Sequence, residues 1–160
     1  MEPVTATVFI ARPREEIIAY LSDVANHPEF KDHYLVDWHL TREDSEGVGA
    51  GVRFRVKMPF NRFGWGDYTL VEVSEHRVVE RGRSGKFNRN RTMGTWTLAD
   101  APGGTTRVEY AFEAESNMPS DRLRESRGWW KRKAGKAVRR LASILEENRD
   151  RGGRVTVAGR

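Results

Sequence analysis

The cleanest alternation of apolar and polar positions in the chain runs from Val52 to Phe60. Val52, Phe54, Val56, Met58 and Phe60 alternate with Arg53, Arg55 and Lys57. Period two with one apolar and one basic face predicts a half-buried antiparallel strand. β-branched and aromatic runs predict further strands at 4–10, 35–42, 65–74, 77–83, 91–99 and 105–116. In 35–42, Val36, Trp38 and Leu40 alternate with Asp37, His39 and Thr41; in 105–116, Val108, Tyr110 and Phe112 oppose Arg107, Glu109 and Glu113. Gly47, Gly49 and Gly51 mark one turn, Asn61-Arg62-Phe63-Gly64 a hairpin loop, and Ala101-Pro102-Gly103-Gly104 another turn.

Helical signals sit at two places. Pro13 opens a helix with Glu15 and Glu16 in its first turn, where acids favour the helix dipole, and Ile17, Ile18, Leu21 and Val24 form its apolar face. Asn26-His27-Pro28 breaks it, and a second short helix is expected at 28–31. The spacing of Leu123, Trp130, Ala134, Ala137, Leu141 and Ile144 predicts one long closing helix over 119–148 with a single apolar stripe. Gly135 in its middle costs about 1 kcal/mol relative to Ala. It implies either close packing on the sheet or room for a ligand.

Seven strands with helices at fixed places predict an α+β fold in which a curved sheet grips the closing helix over an internal cavity. The chain reads as one domain over 1–148, with 149–160 a flexible basic tail. The cavity lining expected from the sheet is Trp38, Phe54, Val56, Met58, Phe60, Trp65, Trp96, Tyr110 and Phe112. The helix adds Trp130, Ala134 and Ala137. Gly64 and Gly66 flank Trp65, which suits a loop that moves at the cavity mouth.

Charge adds a second theme. The formal charge is +5, but residues 119–160 hold 13 Lys/Arg against 5 Asp/Glu, and residues 1–118 hold 15 against 18. Nine of those cations lie between Arg122 and Arg140. Such asymmetry points to an anionic partner, with a merely solvated helix face as the alternative. Arg122, Lys133, Lys136 and Arg140 share a flank with Trp129, a pattern suited to an anionic surface. The chain has no cysteine, which removes disulfide and thiolate chemistry. No basic and apolar leader opens it, and no run approaches the roughly 18 apolar residues of a membrane span, so a cytoplasmic protein with peripheral membrane contact is expected.

Candidate chemistry is sparse. His27, His33, His39 and His76 form no metal-binding pattern, so each is read as a loop or surface residue and no metal or cofactor is expected. If Val71 and Val73 face inward, Asp67 and Trp65 do too, and an acid in an apolar cavity has a raised pKa suited to general acid or base work. Tyr68 and Leu70 support the opposite register, and a bulge would reverse it.

Local sequence near the start resembles the START-like (SRPBCC) superfamily of polyketide cyclase/dehydrase, lipid-transfer and pollen-allergen-like proteins. The residues that carry the likeness are Ile10-Ala11-Arg12-Pro13-Arg14-Glu15-Glu16-Ile17, Leu21-Ser22-Asp23 and His27-Pro28-Glu29-Phe30. Phe30 stands where such proteins usually carry Trp. The resemblance implies a helix-grip fold with a deep apolar cavity between sheet and closing helix. It implies a carrier or sensor of a hydrophobic molecule (a lipid, an isoprenoid or an aromatic polyketide). A cyclase or dehydratase using acid/base groups in the same cavity is the alternative, because the fold hosts both. A third reading, nucleic-acid binding through the basic helix, lacks a matching motif.

Overall fold

The computed structural model describes residues 2–58, 64–115 and 118–155. Its elements run β1 (Val4–Ile10), α1 (Arg14–Leu21), a 3-10 turn (Val24–Asn26), α2 (Pro28–Lys31), β2 (Leu35–Leu40), β3 (Gly51–Val56), β4 (Trp65–Val73), β5 (Arg77–Ser84), β6 (Asn90–Ala101), β7 (Thr105–Ala114), α3 (Pro119–Ser126) and α4 (Trp129–Glu147). The strands form one antiparallel sheet in the order β1-β7-β6-β5-β4-β3-β2. The expected α+β helix-grip architecture is therefore present. α1 and α2 carry the chain from one sheet edge to the other, and α4 packs on β1, β7 and α2.

The alternation in β3 holds. Val52, Phe54 and Val56 are buried, while Arg53 and Lys57 are exposed. A one-residue slip would bury the cations, so the pattern fixes the register. Arg55 is half-buried and bonded through Nε to Asp37 at 2.8 Å, in a stretch of β2 where the register with β3 shifts and Asp37 takes φ +56°. Met58 packs against the core, and Phe60 lies outside the described residues.

β4 takes the register that Tyr68 and Leu70 favoured. Gly66, Tyr68 and Leu70 point inward, and Trp65, Asp67 and Thr69 lie on the outer face. Pairing with β5 shifts between Leu70 and Glu72. The bulge leaves Val71 exposed yet returns Val73 to the core, so Tyr68, Leu70 and Val73 face inward and Val71 and Asp67 do not.

The closing helix is two helices rather than one over 119–148. Gly128 sits between them at φ +68°. A left-handed glycine two residues past Ser126 satisfies a helix end, and Trp129 starts α4 in a new direction. Leu123 consequently leaves the apolar stripe and is 53% exposed, whereas Ala134, Ala137, Val138, Leu141, Ala142 and Ile144 are buried. Neither reading of Gly135 holds: a Cβ there would meet only Arg139 Nη1, at 3.3 Å.

The segment after α4 is also not free along its described part. Asn148 ends the helix at φ +55°, and the chain turns back over α2. Gly152 donates its N–H to the Glu29 carbonyl at 2.9 Å, Val155 donates to that of Ala25 at 3.0 Å, and the Val155 side chain is buried. Arg154 pairs with Asp23 at 2.7 Å. Residues 156–160 lie outside the described residues.

Candidate functional site

The site begins with an acid on an inward strand position. Along β5, Val78, Glu80 and Ser84 face the core, which leaves the Glu80 carboxylate 3% exposed. Facing it is Lys31, the last residue of α2, 1% exposed. Lys31 Nζ lies 2.9 Å from Glu80 Oε1 and 3.0 Å from Oε2. Trp96 donates its indole N–H to Oε1 at 2.8 Å, and the Tyr110 hydroxyl donates to Oε2 at 3.4 Å. Gly94 makes room for this: a Cβ there would stand 2.7 Å from Oε2 and 2.9 Å from the Tyr110 oxygen.

Lys31 also donates to the Tyr68 hydroxyl at 3.2 Å, and its ammonium sits 4.5 Å from the Tyr68 ring centre and 5.3 Å from that of Tyr110. The Tyr68 hydroxyl lies 2.7 Å from His27 Nδ1, and His27 Nε2 lies 2.8 Å from the Leu21 carbonyl. A carbonyl only accepts, so Nε2 carries the proton and Nδ1 accepts from Tyr68. The chain of donors thus has a fixed sense, from Lys31 through Tyr68 to a neutral His27. The 3.6 Å approach of His27 to Glu80 is accordingly not an ion pair.

Electrostatics agree with that assignment. Burial, reinforced by the Lys31 charge and opposed by Glu80, pushes the His27 pKa down to about 4. Burial alone would raise the Glu80 pKa, but the Lys31 ammonium and the Trp96 hydrogen bond hold it below the usual carboxylate range. Burial lowers the Lys31 pKa against the pull of Glu80. Tyr68 and Tyr110 are pushed well above the usual phenol value by burial and by the Glu80 charge, so both remain donors.

This cluster forms the polar wall of a cavity of about 30 Å³. Lys31, Tyr34, Tyr68, Glu80 and Tyr110 supply its polar lining, and Leu35, Phe54, Val56, Phe112 and Trp130 its apolar lining. Ser84, Thr92 and Gly94 complete it. The volume holds one or two waters, against the few hundred Å³ of a typical ligand site. Aromatic rings fill the surroundings: Trp96 stacked on Tyr110 at 4.2 Å, Phe112 tilted against Trp130 at 4.7 Å, and Phe30 edge-on to Trp96 at 5.7 Å.

Of the lining residues expected from sequence, Phe54, Val56, Tyr110, Phe112 and Trp130 touch this cavity. Trp38 packs on Phe54 at 5.2 Å and spends its indole N–H on the Leu35 carbonyl. Trp96 is wholly buried behind the wall, and Ala134 and Ala137 lie in solid core. Trp65 is on the outer face, with the Arg53 guanidinium 5.0 Å from its ring centre. Asp67 is also outside, paired across the strands with Arg53 and Arg83, and lines an open groove that includes Arg81, Arg91 and Glu113. A cavity acid exists, but it is Glu80.

Two histidines lie in turns, within the loop-or-surface reading, but are not at the surface. His27 is fully buried in the network above. His33, half-buried, donates from Nε2 to the Lys133 carbonyl at 3.1 Å and accepts at Nδ1 from Arg140 at 3.2 Å; burial and the Arg140, Lys136 and Lys133 charges bring its pKa to about 4. His39 and His76 are exposed. Among the described residues no group of three His, Cys, Asp or Glu is placed to hold a metal.

The basic flank is likewise divided. Arg140 is an internal clamp, bound to Asp32, to the Glu29 carbonyl at 2.9 Å and to the Asp150 carbonyl. Lys133 lies 5.5 Å from the Trp129 ring centre, and Trp129 packs edge-on against Tyr34 and Trp130. Arg122 and Lys136 remain exposed. No helix among the described residues is long and apolar enough to cross a membrane.

Comparison with known proteins agrees with the architecture. The profile of the family described as polyketide cyclase / dehydrase and lipid transport matches residues 1–146, and the chain belongs to that family. Among solved structures it is similar to the Thermus thermophilus protein TTHA0849, with 17% identity and a TM-score of 0.66 over 89% of this chain and 96% of that one. It is similar to major latex-like protein 151 of Panax ginseng, with 11% identity and a TM-score of 0.62 over 89% of this chain and 96% of that one. DynU16, a putative protein of the dynemicin biosynthetic locus, shares 21% identity with a TM-score of 0.59, over 95% of this chain and 50% of that one. These likenesses establish a shared fold. Among curated proteins none matches this chain in sequence.

Proposed function

We propose that the protein binds a small hydrophobic molecule with one carbonyl or hydroxyl group, held between sheet and α4 with that group turned to the Lys31–Glu80 pair. The observation that carries this reading is an ion pair in an apolar core, opening on a cavity. Burying two charges costs more than their attraction usually returns, so apolar residues would serve stability as well or better. A pair kept at a cavity wall serves a polar group on a ligand. The family's description, cyclase or dehydrase and lipid transport, supports the same substrate class. A ring system needs more than about 30 Å³, so binding requires Trp130 and Phe112 to part.

The test is native mass spectrometry of protein from its own host, followed by organic extraction. A retained hydrophobe is expected, and Trp130→Ala should tighten binding of the uncharged dye N-phenyl-1-naphthylamine by removing the ring that closes the cavity. Protein that carries nothing and binds no dye in either form refutes the reading.

One observation favours an enzyme of the cyclase or dehydratase kind instead. A base (Glu80) and phenol donors (Tyr68, Tyr110) face one cavity, as acid/base chemistry on a β-dicarbonyl compound requires. Accelerated solvent deuterium exchange into a 1,3-diketone, lost in Glu80→Gln, would select this reading; an unaccelerated rate selects the carrier.

A further inference from the structure

The end of the sheet where the cavity opens carries an apolar rim. Ser84, Thr92, Phe112 and Trp130 mark that end, lying at the end of β5, the start of β6, the end of β7 and the start of α4. Beyond them protrude Phe87 at the apex of the β5–β6 turn, Met118 ahead of α3, and Leu123 on α3. Their exposures are 88%, 45% and 53%. The three belong together because Arg89 of the β5–β6 connection and Asn90, the first residue of β6, both bond Asp121 Oδ2 at 3.1 Å, which fastens the first turn of α3 beside the turn that bears Phe87.

Phe87 takes φ +62°, a left-handed conformation that an aromatic residue rarely adopts, and its side chain stands in solvent. Exposing a ring so fully forfeits the burial that normally stabilises it. Among the described residues of this region, Arg122, Arg127 and Lys131 are exposed, as is the acid Glu115 after β7. Apolar tips within a cationic collar match a bilayer interface, where rings enter the headgroup zone and cations meet lipid phosphates and carboxylates.

We propose that this cavity-mouth rim docks the protein on an anionic phospholipid bilayer, with Phe87, Met118 and Leu123 as the inserted side chains. The proposal holds whatever fills the cavity. It moves the membrane contact off the long flank of α4, where Arg140 is committed internally and Lys133 covers Trp129.

The test uses phosphatidylcholine vesicles with and without phosphatidylserine, at low and high salt. Wild type should sediment with the anionic vesicles at low salt and release at high salt. Phe87→Ser with Leu123→Ser should weaken that binding roughly tenfold, while Lys136→Glu on the α4 flank leaves it within about twofold. N-phenyl-1-naphthylamine binding should survive in the rim variant, which separates failure of docking from failure of the cavity reading. Since the chain has no cysteine, an environment-sensitive fluorophore at Leu123→Cys reports one site; its emission should shift to the blue on anionic vesicles, and the same label at Lys136→Cys should not. Wild type that ignores anionic vesicles, a rim variant that binds as wild type does, or a blue shift at position 136 alone overturns the proposal.

Discussion

Lys31 spans the two oxygens of the Glu80 carboxylate, with both side chains almost wholly excluded from water. Each charge exists in the core because of the other. Lys31→Met should therefore leave an uncompensated carboxylate and cost about 3–5 kcal/mol. Adding Glu80→Gln removes the orphaned charge and keeps an acceptor for the Trp96 indole. The double variant should be more stable than Lys31→Met alone. Urea midpoints of the three chains check this, and additive losses would mean the two groups are not coupled.

Acid should weaken the fold before the carboxylates titrate. The folded pKa of His27 is depressed from 6.5 to about 4, so between those values the unfolded chain binds a proton that the folded chain refuses. Stability is then fully present above pH 6.5 and falls as pH drops toward 4, by about 3 kcal/mol from this one group. Glu80, also depressed, adds a loss of the same sign at lower pH. His27→Gln should be less stable at pH 7.5 but show a flatter decline between pH 6.5 and 4.5. Urea unfolding across that range measures it, and an unchanged slope would place the titration elsewhere.

The parts of this molecule visible in its sequence are those that periodicity controls. β3 alternates without exception because a slip would bury Arg53, Arg55 and Lys57, and its register followed directly. β4 was ambiguous because a bulge after Leu70 changes phase within the strand, so that Tyr68 and Leu70 face inward and Val73 does too, while Val71 is left outside. The break at Gly128 was legible in principle, since Gly after a helical run is a stop signal; the apolar spacing of Leu123 and Trp130 across it concealed that signal. Glu80 left one trace, an acid in phase with Val78 on the inward face of β5. Lys31 left none, because its burial depends on where α2 meets the sheet. The polar half of the site is thus a product of tertiary structure, whereas its aromatic half (Phe54, Tyr110, Phe112, Trp130) was visible as pattern.

Neighbours on one strand provide a direct test of the β4 register. Asp67 faces out and Tyr68 faces the cavity. Asp67→Asn should leave N-phenyl-1-naphthylamine affinity within about twofold and stability nearly unchanged. Tyr68→Phe removes both the donor to His27 and an acceptor of Lys31, and should cost about 1–3 kcal/mol with altered dye binding. Equilibrium unfolding and dye titration on both variants decide the point; the reverse ranking would return Asp67 to the interior.

Two glycines seven positions apart should respond to the same substitution with opposite signs. Gly128 holds φ +68° at the joint of α3 and α4. A Cβ there forces a left-handed alanine, worth about 1–2 kcal/mol, or else straightens the joint into the single helix that the apolar spacing suggests. Straightening would swing α3 away from the Asp121 contacts with Arg89 and Asn90. Either way Gly128→Ala should lower the urea midpoint. Gly135 is in mid-helix with only the Arg139 tip near its absent Cβ, and that flexible side chain can yield. Gly135→Ala should therefore raise stability by about 0.5–1 kcal/mol through helix propensity. Circular dichroism at the helical minimum separates strain from straightening in the first variant, since only a straightened joint adds helical signal. Equal effects at the two positions would show that the joint at Gly128 is not held in the folded protein.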